Sequence, residues 1–317
     1  MGEKVSTRIA YGEALAEFGG DENIYVLDAD LKSCTMTADF AEKYPDRFIN
    51  VGIAEANMAD IAAGMASCGA IPVINSFSLF VTGRIYDQIR NGIAYTEQNV
   101  KIVGSHAGLT VGEDGATHQC IEDLSLMRTV PGMTVIAPCD GNEVREATRA
   151  MIRWKGPCYM RTGRCAVETV TKDFPGYRFE IGKGIVLKEG SDVTIIACGL
   201  MVQAALRAGE LLSADGISAQ IVDMHTIKPI DRELIIKAAQ ETGAIVTAEE
   251  HSIYGGLGSA VAEVVVQSRP VPMKIIGVKD RFGHSGHPDE LLEAYGLTAE
   301  EIAGEAKKVI VKKESVS

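Results

Sequence analysis

The sequence predicts an α/β protein built from two consecutive α/β domains, each with a mainly parallel sheet flanked by helices. Three observations carry that expectation. The chain has 317 residues, 46% of them hydrophobic, which suits about two domains at roughly 100 to 200 residues each. Short β-branched runs alternate with helix-like patterns along its length, and such alternation implies parallel strands with helices covering both faces. The alternation pauses over residues 171–191, which contain DFPG and run into KEGSD, and then resumes. The expected organisation is therefore a first domain at 1–170, a linker at 171–191 and a second domain at 192–317.

Taken in order, MGEKVSTRIAYGEALAEF (1–18) has the pattern of an amphipathic helix and lacks the apolar core of a signal peptide. IYVLDAD (24–30), AIPVINSF (70–77), VKIVGSH (100–106), MTVIAP (133–138) and PCYMRTG (157–163) read as strands of the first domain. DVTIIACG (192–199), ISAQIVDM (217–224), GAIVTAEE (243–250) and MKIIGV (273–278) read as strands of the second. Ligands of open parallel sheets bind beyond the carboxyl ends of the strands. That is where DAD, SFSLF, GSHAGLTVGEDGATHQ, PCDGNE and RTGR fall. No internal repeat or low-complexity segment interrupts the pattern.

The formal net charge is −12, which argues against a nucleic-acid or anionic-membrane surface, because those need clustered Lys and Arg. Basic residues gather only in the tail KKVIVKKESVS (307–317), so an anionic substrate would need a local basic pocket. The seven cysteines have neither a CxxC pair nor metal-ligand spacing, the pattern of reduced intracellular thiols. No run approaches the roughly 20 apolar residues of a membrane span. The expected location is the cytoplasm.

Among the polar residues, Glu55 stands out. It is the single carboxylate of INVGIAEANM, in a stretch so rich in Ala, Gly, Val and Ile that burial is expected. A buried carboxylate needs a partner or a proton, although an acid in the first turn of a helix is also favoured by the helix dipole. The loop SHAGLTVGEDGATHQC (105–120) sets His106, Asp114 and His118 among three glycines. It reads as a ligand loop or as a polar surface loop. A metal bound by His106 and His118 lacks further ligands at suitable spacing. Phe77 and Phe80 in SFSLF are ordinary core candidates, and Trp154 reads as packing. His225 in MHTIKPID and His251 in AEEHSIYGGLGSAV read as polar strand ends serving the domain interface.

Together, NVGIAEANMADIAAGMA, SFSLFVTGRIYDQIR, GLTVGEDGATHQCIEDLSLMRTVPGMTVIAPCDGNE and MRTGR occur in the order found in the pyrimidine-binding domain of the transketolase family of thiamine diphosphate enzymes, which they resemble. DMHTIKPID and EEHSIYGGLGSAV resemble that family's C-terminal domain, so the likeness spans almost the whole chain. The family's diphosphate-binding domain carries a GDG motif followed by an Asn that binds the metal, and this chain has neither. It therefore resembles the C-terminal subunit of a split transketolase.

The resemblance implies a thiamine diphosphate-binding fold followed by a transketolase C-terminal domain. The implied activity moves a two-carbon ketol unit from a ketose phosphate to an aldose phosphate. Glu55 corresponds to the acid that bonds N1' of the cofactor's aminopyrimidine, with Phe77 and especially Phe80 as the wall against the ring, and Asp30 to an acid near the thiazolium. His118 corresponds to the histidine beside the reacting carbonyl, Asp114 to an acid that recognises a sugar hydroxyl, and His106 and Arg161 to ligands of the substrate phosphate. An N-terminal subunit would supply the diphosphate site and most ligands of a divalent metal, Mg or Ca, in an α2β2 heterotetramer of the pentose phosphate pathway. Two relatives share parts of the pattern. A deoxyxylulose-phosphate synthase fits less well because of His106, GEDG and MRTGR, and a 2-oxoacid dehydrogenase E1 beta subunit because of the THQ loop. A non-catalytic paralogue that binds a partner would have no reason to keep a buried acid.

Overall fold

The computed structural model describes residues 4–316, with the backbone alone at 316. Among the described residues fourteen strands follow in chain order: β1 Lys4–Ser6, β2 Ile24–Asp28, β3 Phe48–Asn50, β4 Ile71–Phe77, β5 Lys101–Ser105, β6 Thr134–Ile136, β7 Cys158–Arg161, β8 Ala166–Glu168, β9 Ile185–Lys188, β10 Val193–Ala197, β11 Ala219–Asp223, β12 Thr226–Lys228, β13 Ile245–Ser252 and β14 Met273–Val278. A seven-stranded sheet has the order β12-β6-β7-β5-β4-β2-β3, and a five-stranded sheet the order β14-β13-β10-β11-β9. Within them only β12 and β9, each at an edge, run antiparallel to their neighbour. A separate antiparallel ribbon joins β1 to β8. The expected fold class is what the chain adopts. No described helix is long and apolar enough to cross a membrane.

The central strands are apolar because helices cover both faces. Every residue of β10 and β11 is buried, and in β4 only Ile71 is partly exposed. Local signals set several helix ends. The Asp140 side chain caps the helix Gly141–Arg153 by accepting from Glu143 N at 2.9 Å, and Asp231 caps Arg232–Thr242 by accepting from Leu234 N at 3.1 Å. The latter helix stops at Gly243 in the left-handed conformation, φ 66°.

The antiparallel edge strands β9 and β12 were not legible in the sequence, whereas the parallel edge strand β14 was. β9 lies inside the stretch expected as a linker, and β12 crosses from the second half of the chain to extend the first sheet. Such edge strands have three or four residues and no long apolar run to announce them. One continuous core cluster takes Leu27, Ile74 and Ile102 from the first sheet together with Ile196, Val222 and Leu257 from the second half. The two halves are thus welded rather than hinged.

At this weld, Cys139, Glu143 and Asp223 bring a thiol and two carboxylates within 4.8 Å of one another, all buried. Glu143 Oε2 accepts from Cys139 N at 2.8 Å and Oε1 from the Tyr177 hydroxyl at 3.1 Å, whereas neither oxygen of Asp223 has a hydrogen-bond donor among the described residues. Burial, reinforced by Asp140, pushes the Glu143 carboxyl up to about 7. Burial and the neighbouring Glu143 push Asp223 well above the usual carboxylate range. Two such acids cannot both ionise comfortably, so the pair retains a proton. Because the folded-state value of Glu143 lies above an unfolded value of roughly 4.3, its stabilisation is complete below that pH and is lost as pH rises through about 7. The melting temperature should therefore fall between about pH 5 and pH 8, and fall less steeply in Asp223→Asn. Parallel thermal melts of the two proteins check this, and identical slopes would remove the shared-proton account.

Candidate active site

The site lies where adjacent parallel strands β4, β5 and β7 end, at Phe77, Ser105 and Arg161. After β4 the chain turns into a π-helical segment, Phe80–Arg84. Such segments accommodate an extra residue per turn and recur at functional sites.

Glu55 is the first residue of the helix Glu55–Ser67 and only 2% exposed. Both sequence readings of this acid meet here, since it faces the positive end of the helix and is also buried. Its partners are Arg84, whose Nη1 lies 2.8 Å from Oε2, and Ser76, whose hydroxyl donates to Oε1 at 3.2 Å. The Arg84 guanidinium also lies over the Phe80 ring, 4.1 Å from its centroid. Phe77 and Phe80 stand 5.9 Å apart and nearly parallel. His106 packs on Phe77 at 4.1 Å, and His118 meets the Phe80 ring edge-on at 5.3 Å. Glu55, Phe77, Phe80, His106 and His118 thus form one contiguous group.

His106 is buried with left-handed backbone, φ 57°, and its Nδ1 lies 2.7 Å from the Ser105 hydroxyl. Burial first, and then the guanidinium groups of Arg8 and Arg164 and the His118 ring, push its pKa down to about 3. The imidazole is therefore neutral at physiological pH and offers one donor without charge. His118 is half-buried, with Nδ1 3.0 Å from the Thr117 hydroxyl, and Asp114 is exposed on the same loop. The loop keeps its path by close approach to the second half of the chain. At Gly108, φ 82°, an added Cβ would stand 2.2 Å from the Glu250 carboxyl carbon, and Glu250 Oε1 accepts from Thr110 N at 2.6 Å. Asp30 lies just beyond β2 with φ 66°, exposed, and accepts from Asn50 Nδ2 at 2.9 Å.

Arg161 has other partners than the histidines. Its Nε pairs with Asp123 at 3.1 Å, and both terminal nitrogens donate to the Glu250 carbonyl at 3.3 Å. Asp123 also accepts from the Tyr159 hydroxyl at 2.6 Å. The cations that act on His106 are instead Arg8 and Arg164. The Arg164 side chain is 38% exposed, pairs with Glu113 at 3.1 Å and donates to the Val111 carbonyl. Arg8 donates to the Cys34 carbonyl at 2.9 Å, and its buried Nε has no acceptor among the described residues. Sequence reasoning missed both residues. Arg8 sat in a helix read for its apolar face, and Arg164 is the second arginine of MRTGR. A usable signal was position, because Arg161 still belongs to the strand whereas Arg164 lies past its carboxyl end.

Elsewhere, the polar residues of the second half serve structure. Glu249 accepts from Leu257 N and Gly258 N at 2.7 and 2.8 Å, which caps the helix Leu257–Ser268, and His251 Nε2 accepts from Ser125 N at 3.3 Å. His225 stacks on Phe179 at 4.3 Å, and burial pushes its pKa down to about 3. The Cys139–Glu143–Asp223 group is the one three-donor cluster among the described residues, and both Glu143 oxygens already have hydrogen-bond partners.

The family profile described as the transketolase pyrimidine-binding domain matches residues 3–169, and that of the transketolase C-terminal domain matches residues 182–302. A solved structure of a split-gene transketolase, an inactive beta4 tetramer, superimposes with a TM-score of 0.91 at 49% identity, covering 98% of this chain and 99% of that one. The 6-deoxy-6-sulfo-D-fructose transketolase subunit SqwH of Clostridium sp. (strain MSTE9) is 44% identical over 96% of this chain and 95% of its own length. A subunit of the apulose-4-phosphate transketolase of Phocaeicola vulgatus is 37% identical over 97% and 98%. Matched by both profiles and by these relatives along nearly its whole length, the chain belongs to the transketolase family, of which it carries the pyrimidine-binding and C-terminal domains.

Proposed function

We propose that the chain holds the aminopyrimidine end of thiamine diphosphate and, with a second subunit that binds the diphosphate through Mg or Ca, moves a two-carbon ketol unit between sugars with anionic tails. The observation that carries this reading is the buried Glu55 beside the Phe80 ring, bridged by one planar guanidinium. The residues fit the cofactor's shape and chemistry: one carboxylate edge and one aromatic face already accept the planar, N–H-bearing guanidinium of Arg84. The split-gene relative is inactive as a tetramer of beta chains, which supports the need for a second subunit. We place the active form as a cytoplasmic α2β2 assembly, since closed two-fold assemblies are the commonest outcome for interfaces of this kind.

In this reading Glu55 holds a proton at N1' of the aminopyrimidine, while Phe77 and Phe80 keep the ring plane and exclude water. Thiamine diphosphate, when bound, supplies the electron sink that lets a bond beside a carbonyl break. With Nδ1 facing Thr117, His118 has Nε2 for the reacting carbonyl oxygen. Asp114 meets a substrate hydroxyl and Asp30 lies toward the thiazolium. His106, Arg8 and Arg164 meet the anionic tail, His106 as a neutral donor and the arginines as charge-assisted donors. The names of the two sugar-specific relatives, one for a sulfo-sugar and one for a sugar phosphate, fit a pocket that recognises a terminal oxyanion.

Glu55→Gln is close to isosteric and should leave the melting temperature near that of the wild type, while kcat of the chain mixed with its diphosphate-domain subunit falls at least about 100-fold. Exchange of the cofactor's C2 proton is the direct measurement, and a wild-type exchange rate would take Glu55 out of its role.

The two arginines of MRTGR should separate. Arg164→Ala should raise KM for phosphorylated donors by roughly 10 to 150-fold, the loss of a charge-assisted contact of about 1.5 to 3 kcal/mol, and spare a non-phosphorylated donor such as hydroxypyruvate. Arg161→Ala leaves Asp123 buried without its cation, so it should destabilise the fold by about 3 to 5 kcal/mol and harm both donors. Melting curves with kcat/KM for one donor of each kind decide between them. A stable Arg161→Ala with a loss confined to phosphorylated donors would return the anion site to Arg161.

A further inference from the structure

Arg84 combines two properties that rarely go together. Its side chain is 47% exposed, yet its guanidinium is held on both edges of the proposed pyrimidine subsite, 2.8 Å from Glu55 Oε2 and 4.1 Å from the centroid of Phe80. The spacing accounts for this placement, because residues 80 and 84 lie four apart in one helical turn and so stand beside one another on the same face. The charge requirement accounts for it too. Glu55 is too buried to be solvated, and Ser76 gives it only one neutral donor, so the Arg84 guanidinium supplies its one charge-assisted partner.

An aminopyrimidine would require the same two contacts, a ring face stacked on an aromatic wall and an in-plane nitrogen at the carboxylate. We propose that Arg84 is a placeholder for the aminopyrimidine: it satisfies Glu55 and covers Phe80 in the cofactor-free chain, and it must swing into solvent before the cofactor can seat. The inference rests on the assignment of Glu55 and Phe80 to the pyrimidine. Its half-exposed side chain makes the exchange feasible without repacking of the core, since the departing guanidinium goes directly to water. The device keeps the acid paired and correctly oriented before assembly and makes cofactor entry a competition between two planar donors for one carboxylate.

The test is the affinity of the assembled two-subunit enzyme for thiamine diphosphate, measured by calorimetry, together with melting curves of this chain alone. Arg84→Met should lower the melting temperature of the cofactor-free chain, because Glu55 loses its cation. The same variant should bind thiamine diphosphate about tenfold more tightly, the scale of one lost competing ion pair together with one lost cation–π contact. Arg84→Lys, which keeps the charge but not the planar plate, should fall between Met and wild type in both measurements. Unchanged or weaker binding in Arg84→Met would overturn the proposal, and a fall in melting temperature with no gain in affinity would mark Arg84 as merely structural. Glu55→Gln and Phe80→Ala, measured alongside, separate the two levels. If neither weakens cofactor binding or slows C2 proton exchange, the pyrimidine assignment itself fails. If both do while Arg84→Met binds as the wild type, only the placeholder fails.

Discussion

The buried ion pair between Arg161 and Asp123 is the constraint on which the rest of the site depends. Arg161 ends a central strand of the first sheet, and its terminal nitrogens reach the carbonyl of Glu250 in the second half of the chain. From the same residue the Glu250 carboxyl takes Thr110 N and lies against Gly108. One knot therefore joins the two sheets and clamps the histidine loop. Further clamps follow along the loop, where Gln119 donates to the His284 carbonyl at 3.0 Å and Ser252 N donates to the Ile121 carbonyl at 2.8 Å. The C-terminal domain contributes none of the proposed site residues, yet it sets the path of the segment that carries His106, Asp114 and His118. Burial shapes the energetics of the knot, since an arginine paired inside the protein is strongly destabilising to remove, whatever its net contribution.

The electrostatics of the site are local. A chain of net charge −12 places two guanidinium groups near one buried, neutral imidazole. A protonated histidine there would repel those cations and lose hydration, which is why burial and the arginines push it the same way. The arrangement gives an approaching oxyanion charge from Arg8 and Arg164 and a directional neutral donor from His106. On the other side of the aromatic pair the sign reverses, with Glu55 as the buried charge and Arg84 as its partner. Opposite charges at the two ends would orient a substrate and cofactor that are themselves polarised.

Much of this was legible in the sequence, for physical reasons that differ between elements. Strands β4, β5, β10 and β11 are covered on both faces and so appear as apolar runs, whereas β9 and β12 are three- or four-residue edge strands with no such signature. Glu55 was conspicuous because a lone acid in an Ala-rich and Gly-rich segment violates its surroundings. Phe77 and Phe80 were ambiguous because a ring that faces a pocket and a ring in a core have the same local pattern. Arg8 and Arg164 were invisible as a pair, since they are 156 positions apart in the chain and meet only through the ribbon of β1 and β8, whose pairing brackets both. Arg161 looked functional from its motif, and the sequence could not show that its side chain also pairs with Asp123 and the Glu250 carbonyl.

The site is also one-sided. Glu55 is sealed, but Ile53 beside it is 79% exposed, and Phe80, Asp30 and Asp114 lie partly or fully open. Covering Ile53 would take its apolar surface out of water without disturbing Glu55. The same cover would exclude water from the face of Phe80 and strengthen every electrostatic contact at the carboxylate. A half-built wall of this kind makes physical sense if another surface completes it, and under the proposed function that surface belongs to the subunit that grips the far end of the cofactor. Assembly, desolvation and activation of Glu55 would then be a single event, with the Arg84 guanidinium leaving as the new wall and the aminopyrimidine arrive.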